Sequence, residues 1–92
     1  SHTMLASNFL NIPLSEAVEQ LAPLSIHLHL VDGVGVDGEG VQVGEGDVDW
    51  AALDKQLREL APKASFIPEI WQGHINNGEG FFTALDRLEK WL

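Results

Sequence analysis

Apolar and polar positions alternate along this chain in two distinct rhythms. Leu14, Ala17, Val18, Leu21 and Ala22 recur at i, i+3, i+4, i+7 and i+8, the buried stripe of a helix. Pro13 suits its first turn and Pro23 stops it, so the spacing predicts a helix over 13–22. Ser25 to Val31 then forms a short apolar run bounded by Pro23 and Asp32-Gly33, which predicts a strand over 25–31. Side chains alternate across a strand, so His27 and His29 share one face while Ile26, Leu28 and Leu30 share the other.

Residues 33–49 break both rhythms with glycine and acid. Val34 and Val36, then Asp37-Gly38-Glu39-Gly40, then Val41 and Val43 predict a small β-hairpin inside a long loop at the strand's tip. The helical rhythm returns at Trp50, Leu53, Leu57, Leu60 and Ala61, with Asp47 or Asp49 as cap and Pro62 as stop, giving a helix over 50–61. A second strand is predicted over 65–71, with Pro68 pointing to a strand tip or sheet edge. After a glycine- and asparagine-containing loop, Phe81, Leu85, Leu88 and Leu92 predict a last helix over 80–92. The order yields an α/β fold: one β-α-β unit with flanking helices. Two strands leave unpaired edges, which favours self-association and marks the element list as that of a fragment.

Composition narrows the function. Fourteen acids against five bases give a net charge of −9, the opposite of a phosphate-binding footprint, so no nucleic acid and no anionic membrane surface is expected as partner. Cysteine is absent, which removes disulfides and thiolate metal sites. No apolar run approaches the roughly 20 residues of a bilayer span. A cytoplasmic location is expected. Ser1-His2-Thr3-Met4 reads as a cloning scar, leaving 5–92 as the domain and His2 outside any site.

Three constellations suggest chemistry. Gly33, Gly35 and Gly38 fit G-x-G-x-x-G after a strand, but no helix opens at the third glycine and the surrounding acids would repel a pyrophosphate. Asp37, Glu39, Glu45, Asp47 and Asp49 lack the spacing of a calcium loop and read as a solvated acidic stretch. His27 and His29 on one strand face, with Glu69 at the matching level of the next strand, form a candidate site for a divalent metal.

His29-Leu30-Val31-Asp32, then Val43-Gly44-Glu45-Gly46-Asp47-Val48-Asp49-Trp50 and its helix, then Ile67-Pro68-Glu69 resemble the C-terminal part of the xylose-isomerase-like TIM barrels, the sugar phosphate isomerases and epimerases. More narrowly, Phe66 through His74 and Asp37-Gly38-Glu39-Gly40 look like a module of bacterial sialic acid synthase-like proteins. The resemblance implies a C-terminal fragment of a (β/α)8 barrel, comprising the end of the sixth unit and units seven and eight. It implies His29 and Glu69 as ligands to a divalent metal (Mn, Co, Zn or Mg). Glu69 would also be the catalytic acid/base, and His27, Asp32, Trp71 and His74 would be contacts to a sugar or sugar phosphate. The ligands such barrels take from strands four to six have no counterpart here, and a barrel needs about 250 residues and eight strands. The expectation is an incomplete site on a chain that is not catalytic alone and joins copies of itself or the rest of a barrel. A non-catalytic binding or assembly module is the alternative.

Overall fold

The computed structural model describes residues 1–91 as a mixed α/β domain. Its elements are α1 (His2–Phe9), α2 (Leu14–Leu21), a 3₁₀ turn (Ala22–Leu24), β1 (His27–Leu30), β2 (Asp32–Val34), β3 (Gly38–Val41), α3 (Trp50–Leu60), β4 (Ser65–Pro68) and α4 (Ile75–Trp91). β1 and β4 pair in parallel, His27 opposite Ser65 and Leu30 opposite Pro68, with α3 in the crossover. β2 and β3 form a separate antiparallel hairpin, Asp32 opposite Val41 and Val34 opposite Gly38. The β-α-β unit thus appears as the periodicities predict. The hairpin turns at residues 35–37, ahead of the Asp37-Gly38 step, because Gly35 supplies a left-handed φ of 64°.

The stripes do the packing they suggest. Val18 and Ala22 from α2 and its following turn, Leu30 from β1, Trp50 and Leu57 from α3, and Ala84 and Leu88 from α4 form one buried cluster with Val43. Leu28, Phe66 and Ile70 pack against it from the strands. The helices therefore cover the face of the parallel pair that carries the even-numbered residues. The odd-numbered face stays open: His27, His29, Ser65, Ile67 and Glu69 are all exposed.

Three boundaries differ from expectation. Residues 1–4, expected to stand outside the domain, are folded into it. Met4 is buried in α1, and the Ser1 ammonium donates to the Val31 carbonyl at 3.2 Å. The regular strands are shorter than predicted, because Ser25 and Ile26 precede the ladder and Glu69 to Trp71 turn away after it. The start of α4 carries a left-handed turn, Asn76, Asn77 and Gly78 at φ 52°, 59° and 84°, so its right-handed part begins close to the predicted residue 80. Leu92, the last member of that predicted stripe, lies outside the described residues.

Candidate functional site

The open sheet face is built by register. Glu69 N–H donates to the Leu30 carbonyl at 3.1 Å, which sets Glu69 one step beyond the last ladder pair and level with Val31; Ile67 stands opposite His29, so Glu69 is not at the matching level expected of it and reaches His29 along a diagonal. His29 Nδ1 and Glu69 Oε2 lie 3.1 Å apart, on side chains 56% and 58% exposed. One step back, His27 Nδ1 lies 2.7 Å from Ser65 Oγ. The two imidazoles meet edge to face with centroids 5.2 Å apart. The residues expected to hold a metal are thus adjacent, and together they offer one nitrogen and one carboxylate. Among the described residues, no group of three or more His, Cys, Asp or Glu is placed to hold a metal ion. The donor chemistry suits a borderline or hard divalent cation, but a closed coordination sphere needs ligands from elsewhere.

Asp32 occupies a different place from the substrate contact expected of it. It has no exposed surface. Its Oδ1 accepts from Gly33 N–H at 2.9 Å and Val48 N–H at 3.1 Å, and its Oδ2 accepts from Gly44 N–H at 2.9 Å and Trp50 Nε1–H at 2.8 Å. Four donors saturate a carboxylate, so Asp32 organises the glycine-rich loop and faces no solvent. Gly46 passes so close that an added Cβ would collide with Asp32 Oδ1 and the Gly33 carbonyl. Three other acids of the loop are engaged as well. Asp47 accepts from Gly35 N–H at 2.8 Å, Asp49 caps α3 through Ala52 N–H at 3.1 Å, and Glu45 pairs with Arg87 at 2.7 Å.

Trp71 is 75% exposed at the strand's end, its N–H donating to the Gly40 carbonyl at 3.0 Å. His74 is exposed in the following turn and shares a shallow hollow of about 500 Å³ with Glu69, Gly73, Asn77 and Phe81. Trp71 and His74 therefore flank the end of the sheet where Glu69 stands. One contributor escaped the sequence reading. The Ser1 α-ammonium is partly buried beside the site, and desolvation lowers its pKa against the opposing pull of Asp32 and Glu69. The apolar Met4-Leu5 step was the sequence signal that this terminus packs.

Comparison with protein-family models, curated proteins and solved structures yields no match. No described helix is long and apolar enough to cross a membrane.

Proposed function

We propose that this chain is the C-terminal slice of a metal-dependent sugar or sugar phosphate isomerase-like barrel, supplying half of a divalent metal site and acting only when further strands complete it. One observation carries the reading: His29 and Glu69 meet at 3.1 Å across a parallel pair whose helices cover the opposite face. An open face with polar side chains at the strand ends matches a barrel interior that lacks its remaining staves. A bound divalent cation would polarise the sugar carbonyl and stabilise the oxyanion that develops there. His29 would contribute a neutral imidazole nitrogen and Glu69 a carboxylate oxygen. Glu69 would also be the group that takes and returns a proton at the carbon beside the carbonyl. His27, Trp71 and His74 would line the approach and orient the sugar. The sialic acid synthase-type parent is the narrower form of the same proposal.

The test is metal titration followed by NMR of the imidazole resonances. Mn²⁺, Co²⁺, Zn²⁺ or Mg²⁺ is expected to perturb His29 weakly in the isolated chain, and His29→Ala or Glu69→Gln to abolish the effect. Silence at both residues with millimolar metal would sink the catalytic reading. A non-catalytic assembly module would then stand in its place, favoured by the apolar groove along β1.

A further inference from the structure

Asn77-Gly78 is the single Asn-Gly step of the chain, and Asn77 is exposed. Such a step carries a reaction that needs only water. The glycine's backbone nitrogen gives up its proton and attacks the asparagine's side-chain amide carbon. A C–N bond closes a five-membered imide, and the amide nitrogen leaves as ammonia with that proton. Water then opens the ring, giving aspartate or isoaspartate, in which the main chain runs through the side-chain carbon. Glycine favours closure because no Cβ shields the attacking nitrogen.

The fold holds the two reacting atoms apart. Asn76, Asn77 and Gly78 are consecutive left-handed residues, and ψ of Asn77 is 32°. In an L-residue that ψ sets the next nitrogen nearly anti to Cβ about the Cα–C bond, whereas ring closure needs the two almost eclipsed. The attacking group is engaged as well. Gly78 N–H donates to the His74 carbonyl at 3.1 Å, and the Phe82 ring lies 3.1 Å from where a Cβ on Gly78 would stand. Phe81 N–H on the Gly73 carbonyl at 3.1 Å and Asn76 Nδ2–H on Glu79 Oε2 at 3.2 Å close the rest of the turn. The last bond is exposed and the two left-handed asparagines carry backbone strain, so this segment opens locally before the domain unfolds.

We infer that Asn77 is a gated self-modification site: the intact turn withholds imide closure, and local opening at the start of α4 releases it. The product records the opening permanently. Aspartate adds a negative charge to the hollow that Asn77 shares with Glu69 and His74. Isoaspartate adds a main-chain carbon between the His74 carbonyl and Gly78 N–H, so their hydrogen bond no longer re-forms in register. Asn8, Asn11 and Asn76 lack a following glycine, so the reaction is directed to one of four asparagines. The inference goes beyond the isomerase-like reading and draws on neither the metal nor the missing strands, so either stands or falls without the other.

The test incubates the full chain in one buffer, folded and in urea, and follows Asn77 by peptide mass and by isoaspartate-specific methylation. Conversion in urea is expected to be at least about tenfold faster than in the folded chain, the turn being the part that must open. Glu79→Ala removes the acceptor of the Asn76 side chain at an exposed position and is expected to narrow that ratio. Glu79→Gln keeps an acceptor oxygen and is expected to restore it. Equal rates in the folded and urea-treated chain would overturn the inference, since the turn would then withhold nothing. So would a ratio that Glu79→Ala leaves unchanged, because the integrity of the turn would not then govern the reaction.

Discussion

Trp50 Nε1–H donates to Asp32 Oδ2 at 2.8 Å across 18 residues, and both side chains are buried. The bond joins the first residue of β2 to the first residue of α3, and Trp50 stacks on Trp91 of α4 with centroids 6.0 Å apart. Asp32→Asn changes no volume but turns one acceptor oxygen into a donor that faces two N–H groups. A loss of about 2–4 kcal/mol in urea unfolding is expected, the range for stranding buried donors of a charged acceptor. A variant as stable as the parent would show that the loop does not depend on this carboxylate.

The glycines of the same loop separate two effects. Gly35 has open space around its Cβ position but a φ of 64°, so Gly35→Ala is expected to cost about 1–2 kcal/mol through backbone strain alone. Gly46→Ala collides with Asp32 and with the Gly33 carbonyl, and is expected to cost about 3 kcal/mol from overpacking. Thermal melts of the two variants test the order; equal losses would contradict it.

His29→Ala and Glu69→Gln remove a pair that is more than half exposed on both sides. Exposed pairs contribute about 0–1 kcal/mol, so stability is expected to stay within about 1 kcal/mol of the parent while the metal response disappears. Unfolding of either variant would make the pair structural.

The Ser1 ammonium gives a pH dependence of definite sign. Desolvation lowers its pKa in the folded chain below the ordinary α-amino range of about 7.7–8.0, so the unfolded chain binds more protons between the two values. Stability is therefore expected to rise with pH through that window and to level off above about 8. N-terminal acetylation removes the titrating group, and the slope between pH 6 and 9 in urea midpoints should flatten with it.

Much of this arrangement was legible in the sequence because it rests on side-chain periodicity. The stripes 14–22 and 50–61 and the alternation of His27 and His29 read directly into α2, α3 and the open face of β1. What stayed hidden depends on backbone donors. Asp32 reads as a strand-tip acid because three of its four partners are main-chain N–H groups of Gly33, Gly44 and Val48, which have no signature of their own. Only Trp50, 18 residues on, carried a side-chain hint. Helix α1 was missed for a different reason: its apolar residues Met4 and Leu5 fall within or beside four residues set aside as foreign to the domain. The left-handed turn at Asn76 to Gly78 was readable as asparagine and glycine in a loop, but not as the opening of a helix.

The convergence on Asp32 has a mechanical consequence. Gly33, Gly44, Val48 and Trp50 are tied to one carboxylate, so force on the start of β2 passes straight into the start of α3 instead of stretching the chain between them. A segment rich in glycine acts here as a short rigid coupling. A displacement of the hairpin's first residue would, through that coupling, be felt at Trp50 and at the tryptophan stacked upon it.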